Sequence, residues 1–155
     1  MNNYENRIRQ CCFTGHRPDK LSVPESEIKA KLKTEILLAI ADGFDVFITG
    51  MAPGVDIWAA EVILELKKEF PLKLVAAIPH PGFEKRWSDE QVKRYIAITE
   101  KADHIEYICP YYCRGCCQIR NAWIVDRCAR VIAVWNESPA EPKTPLSMQG
   151  ERVWL

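Results

Sequence analysis

The segment Gly50 to Asp56, GMAPGVD, sets two glycines between an apolar run and a helical pattern. Glycine lets backbone amides approach an anion closely, and a helix start offers unpaired N–H groups at the positive end of its dipole. Phosphate binding at Gly50 and Gly54 is one reading. A tight strand-to-helix turn is the other, because the spacing matches neither GxGxxG nor the P-loop with its lysine. Asp56 either caps that helix or turns its carboxylate towards a ribose or an amine. One turn further on, Trp58 reads as packing, and Glu61, too polar for an inward face, could reach the same crevice. In GHRP (15–18), Arg17 suits a bidentate grip on phosphate or a carboxylate partner. His16 has no neighbouring acid to orient it as a base.

Two further segments carry polar or reactive groups. Phe83, Glu84, Arg86 and Trp87 combine aromatic faces with charge, as a base-stacking or lid loop does, although Trp87 suits a hydrophobic gap equally well. In QIRNAWIVD (118–126), Arg120 and Asn121 stand side by side near a helix start, while Asp126 lies too far along to be assumed part of the site and suits an ion pair with Arg127 or Arg130. Just before it, Cys109, Cys113 and Cys116 show the x3, x2 spacing of a radical S-adenosylmethionine cluster. Only 39 residues follow Cys116, too few for the partial barrel such enzymes need. Zinc with Cys117 or His104 as fourth ligand is a weaker alternative to reduced thiols, since no second CxxC stands at ribbon spacing.

Composition bounds what these groups can serve. The chain has 155 residues, 21 Lys+Arg against 21 Asp+Glu, and seven cysteines. That length suits a single domain. The charge balance counts against a nucleic-acid partner, which calls for a basic surplus or stripe. No apolar run approaches a bilayer span, and MNNYENRIRQ lacks a signal-peptide core, so a soluble, cytoplasmic protein without a membrane partner is expected. An odd number of cysteines, four of them in adjacent pairs, fits reduced thiols better than a disulfide framework.

The loops must be held by something regular. Apolar runs at 8–14, 45–49, 73–78, 104–108 and 130–135 read as strands. Between them lie helical patterns: from about Pro24 with Ile28, Leu32, Ile36, Leu37 and Ile40 on one face; after Asp56 with Ala59, Val62, Ile63 and Leu66 inward and Lys67, Lys68 and Glu69 in water; around Val92, Tyr95, Ile96 and Thr99; and from Gln118 to Cys128. Five strands with long crossovers imply an α/β fold with a mainly parallel sheet and right-handed connections. Ligand chemistry then belongs at the strands' carboxyl ends, where the distinctive loops cluster.

CCFTGHRP (11–18), FITGMAPGVDIWAAE (47–61), AIPHPGFEKRW (77–87) and YCRGCCQIRNAWIVD (112–126) followed by VIAVW (131–135) resemble, in order and spacing, the YpsA family. That family is related to DprA and to the Lonely guy phosphoribohydrolases within the SLOG superfamily. The resemblance implies a three-layer Rossmann-like domain over residues 1–137 that binds a nucleotide or nucleotide-derived ligand such as ADP-ribose or NAD, with a link to bacterial cell division. Carried over residue by residue, it assigns the pocket to Gly15, His16 and Arg17, to Gly50, Ala52, Gly54 and Asp56, and to Arg120 and Asn121; Trp87 joins them from the loop reading above. It names no metal and no catalytic residue.

Family members continue with a Gly-Gly-Thr phosphate loop, whereas this chain ends ESPAEPKTPLSMQGERVWL. With suitable codons, SPAEPKTP read two nucleotides later gives Pro-Gly-Gly-Thr-x-Asn-Thr. Residues 138–155 are accordingly expected to be an atypical, frameshifted and disordered tail. A ligand-binding regulatory protein, with a protein partner or a second copy of the chain as further possibilities, is favoured over an enzyme. The alternatives are an N-glycosidic phosphoribohydrolase, whose PGGxGTxxE segment is missing here, and a DprA-like DNA-binding protein.

Overall fold

The computed structural model describes residues 8–15 and 23–134, together with the backbone of 151–154. Their order is β1 (Gln10–Gly15), α1 (Glu25–Ala41), β2 (Val46–Thr49), α2 (Val55–Leu66), β3 (Lys73–Ile78), α3 (Asp89–Lys101), β4 (His104–Tyr107), α4 (Cys116–Asp126), β5 (Arg130–Val134) and β6 (Glu151–Trp154). The strands form one sheet in the order β4-β3-β2-β1-β5-β6. All neighbours are parallel, with Cys12 of β1 level with Ile48 on one side and Val131 on the other. The five expected strands are present. A sixth, β6, lies inside the segment read as an atypical tail and extends the edge beside β5; residues 135–150 lie outside the described residues.

Strand order follows from how the chain walks. It steps outward from β1 to β4, then returns through α4 to place β5 on the other side of β1. Parallel strands bury both faces, so their residues alternate between two apolar layers. Cys11, Phe13, Phe47, Leu74, Ala76, Ile78, Ile132 and Val134 join the larger core with α1, α2 and α3. Cys12, Ile48, Ala77 and Val131 face the smaller one, closed by Ile124 of α4 and by Cys128.

Helix α2 lies between α1, α3 and the sheet, and buries Val55, Ile57, Trp58, Ala59, Ala60, Val62, Ile63 and Leu66. Each large side chain among these contributes about 1.5–3 kcal/mol when fully buried. Helix α1 buries Ile28, Leu32, Ile36 and Ala39. Leu37, expected on that face, is 36% exposed, because its neighbour Ile36 already occupies the contact line. In α3 the buried residues are Tyr95 and Ile98, and Ile96 is exposed. Lys67, expected in water, is half-buried and pairs with Asp103 at 2.5 Å.

None of the seven cysteines is disulfide-bonded. Among the described residues, no helix is long and apolar enough to cross a membrane.

Candidate functional site

Three loops meet at the carboxyl edge of the sheet, and the way two helices start there sets the site's character. Helix α2 begins at Gly54 (φ 99°) and α4 at Gly115 (φ 83°), both in backbone conformations that favour glycine. Neither start has a side-chain cap hydrogen bond. Helix α3 differs: Ser88 accepts a hydrogen bond from the Gln91 amide at 3.3 Å, an ordinary cap. First-turn amides without a side-chain cap leave the positive dipole ends of α2 and α4 available to an anion. Immediately before α2, Met51 is fully buried at φ 62°, a conformation uncommon for a residue with a side chain, and the Thr49 hydroxyl braces this bend by accepting from the Met51 amide at 3.3 Å and donating to the Asp56 carbonyl at 2.8 Å.

Arg120 reaches this bend from α4. It is only 6% exposed. Its Nη1 donates to the Gly50 carbonyl at 2.5 Å, its Nε to Asn121 Oδ1 at 2.8 Å, and its guanidinium carbon lies 5.9 Å from the centre of the Phe83 ring. Gly50 must be glycine for this approach. A Cβ there would stand 2.9 Å from the Arg120 guanidinium carbon and 3.0 Å from Asp56 Oδ2. Asp56 thus flanks the same backbone position, and its carboxylate accepts from the Ala52 amide at 3.2 Å rather than capping α2. Burial raises its pKa, against the pull of Arg120 and the Ala52 hydrogen bond. Among the described residues no carboxylate lies within salt-bridge distance of Arg120; its hydrogen bonds go to a carbonyl and an amide oxygen, and the Asp56 carboxylate beside it acts on it only through space.

The remaining predicted residues divide. Gly15 ends β1, where a Cβ would meet Val55 Cγ2 at 2.7 Å and the Val134 carbonyl at 2.9 Å, so its first requirement is the close seating of α2 on β1 and β5. His16 and Arg17 lie outside the described residues. Trp87 stands between Phe83 (5.1 Å between ring centres) and Tyr95 (5.4 Å), edge to face with both, and packs against the main core. Through His80, which meets Phe83 at 5.8 Å and Tyr112 at 5.4 Å, the aromatic series ties the 79–87 loop to the loop before α4.

Glu61 does not reach the crevice. It is held by Arg94 and by Lys29 at 3.0 Å, and Arg94 also takes both oxygens of Glu25 at 3.0 Å, which locks α1, α2 and α3 together away from the loops. Arg130 pairs with Asp42 at 2.8 Å, and Arg127 lies over the Trp123 ring, so the expected partners of Asp126 are committed elsewhere. Cys109 and Cys113 approach each other, their sulfurs 3.7 Å apart, but His104 does not join them: it starts β4 beside Glu106, at the opposite end of that strand from Cys109. Among the described residues no three potential metal ligands come together. Sequence reasoning passed over Met51, Phe83 as the partner of Arg120, and His80; no local signal in GMAPG marks the bend at Met51.

A doubly wound α/β sheet with glycine-entered helix starts and a buried arginine at its carboxyl edge defines the class. The chain belongs to the YpsA family, described as the YspA SLOG family, whose model matches residues 11–151. It is 29% identical over 146 residues to a UPF0398 protein of Bacillus cereus (strain B4264), covering 88% of this chain and 79% of that one, and matches a UPF0398 protein of Bacillus thuringiensis (strain Al Hakam) to the same extent. Its fold is similar to that of DNA processing protein A (DprA) from Streptococcus pneumoniae, with a TM-score of 0.54, 20% identity and 81% of this chain covered. The chain spans 41% of that DprA chain.

Proposed function

We propose that the carboxyl edge of the sheet binds a nucleotide-derived anion of the ADP-ribose or NAD type, and that the protein acts as a ligand-responsive regulator rather than a catalyst. The supporting observation is Arg120: a buried guanidinium with no carboxylate at salt-bridge distance among the described residues, set on Gly50 beside the start of α2. Burying a cation is costly unless it is paired; the nearby Asp56 carboxylate offsets part of that cost without contacting the guanidinium, and a phosphate at this point completes the pairing. Gly50, Ala52, Gly54 and Asn121 then frame the ligand, with Phe83 and Trp87 along its flank.

Thermal unfolding against NAD, ADP-ribose, AMP and ribose 5-phosphate tests this reading. A ligand at 100 times its Kd adds about 2.7 kcal/mol to native-state stability, a shift of several degrees for a domain of this size. A rise with the phosphorylated ribosides is expected; no rise with any of them, in protein shown to be folded, contradicts the reading.

A further inference from the structure

We propose that Cys109 and Cys113 are a redox-active dithiol that closes reversibly to an intramolecular disulfide, tightening the segment that leads into α4. Their sulfurs lie 3.7 Å apart, with the Cys113 thiol directed at Cys109. The two are unequal. Cys109 is buried and its amide is tied to the Pro79 carbonyl at 2.9 Å, whereas Cys113 is half-exposed on the loop. Burial, and next the Cys113 thiol beside it, raise the pKa of Cys109. Reactive cysteines of sensing pairs are accessible and stand next to a resolving thiol, which is this arrangement.

The oxidant is a small-molecule disulfide of the glutathione class. The Cys113 thiolate attacks one of its sulfurs, forms a mixed disulfide and expels one thiol. Cys109, after giving up its proton, then attacks Cys113 Sγ and expels the second. Two protein thiols lose two electrons and two protons, and the oxidant gains both as two free thiols. Bonding draws the sulfurs from 3.7 Å to about 2.05 Å. Because the Pro79 carbonyl anchors Cys109, Cys113 is the side that moves. Its carbonyl accepts the Cys116 amide at 3.1 Å, and Tyr112 beside it meets His80, so the displacement enters the first turn of α4, the helix that carries Arg120.

The sequence permits a clean test, independent of any ligand. Trypsin releases residues 102–114 as one peptide holding Cys109 and Cys113 but neither Cys116 nor Cys117, which fall in 115–120. After incubation of the folded protein with oxidised glutathione, peptide 102–114 is expected to be lighter by two hydrogens and closed to alkylation, and a thiol reductant restores it. Cys109→Ser should leave Cys113 holding glutathione; Cys113→Ser should leave Cys109 unmodified. Amide hydrogen exchange across 112–118 should slow in the oxidised form. Both cysteines remaining alkylatable, a linkage to 115–120 instead, or unchanged exchange across 112–118 would overturn the proposal.

Discussion

Arg120 Nη1 donates to the carbonyl of Gly50 at 2.5 Å, joining residues 70 positions apart and fixing the fourth helix against the end of the second strand. Everything the site can do depends on this approach. It needs a residue without a side chain at 50 and a straight reach from α4, and it leaves the charge of Arg120 without a salt-bridge partner among the described residues.

Gly50→Ala tests that approach. The new Cβ would lie 2.9 Å from the guanidinium carbon, so the arginine must move. Overpacking of this kind costs about 1–3 kcal/mol. A moderately lowered unfolding midpoint and loss of any ADP-ribose-induced rise are expected in paired thermal scans.

Gly15→Ala separates structure from binding. Here the added carbon meets Val55 at 2.7 Å and the Val134 backbone at 2.9 Å. A backbone atom yields less than a side-chain end, so destabilisation in the upper part of the same range, about 2–3 kcal/mol, is expected by denaturant titration. The fraction that remains folded should still respond to ligand.

Asp56 has a folded-state pKa raised by burial. The folded state therefore holds the proton more tightly than the unfolded chain, and stability falls as pH rises from the ordinary carboxylate value through the raised one. Asp56→Asn keeps an acceptor for the Ala52 amide and removes this titration. Its stability relative to the wild type should improve as pH climbs from about 4 to neutrality, as measured by urea midpoints across that range.

The ion-pair hub has the opposite sign. Hydrogen bonds from Arg94 lower the pKa of Glu25; for Glu61, burial works against the Arg94 and Lys29 hydrogen bonds, and the bonds prevail. Both carboxylates contribute stability that is present above the unfolded value, near 4.5, and lost as pH falls through the folded values. With Glu25 partly in solvent, Arg94→Ala is expected to cost about 1–2 kcal/mol at neutral pH, between an exposed and a buried pair. The same variant should flatten the acid limb of the stability curve.

The regular elements were legible where local pattern suffices. KLVAAI reads as a strand over 73–78 and is one with the same bounds, because a run of apolar, partly β-branched residues between helical patterns suits a parallel sheet. Helix faces were legible to within a residue or so: Leu37 and Ile96 each adjoin a buried position, and periodicity alone does not say which flank the neighbouring helix covers. Glu61 was misjudged because Arg94, its partner, lies 33 residues away, and a long-range ion pair leaves no mark on local spacing. The turn at Gly50 was visible as glycine. The arginine that requires it was legible, with Asn121, as a candidate pocket residue near another helix start, but its contact with Gly50 was not, because the sheet order that brings them together is written in no single segment.

The most direct measurement is a calorimetric titration of ADP-ribose into the wild-type chain and into Arg120→Lys and Arg120→Ala, each first shown to be folded. The account predicts binding near one ligand per chain in the wild type, weakened about 10- to 100-fold by lysine, which keeps the charge but loses the planar fork, and abolished by alanine. Equal affinity in all three proteins, or no heat of binding in any, would contradict the assignment of an anion site to Arg120.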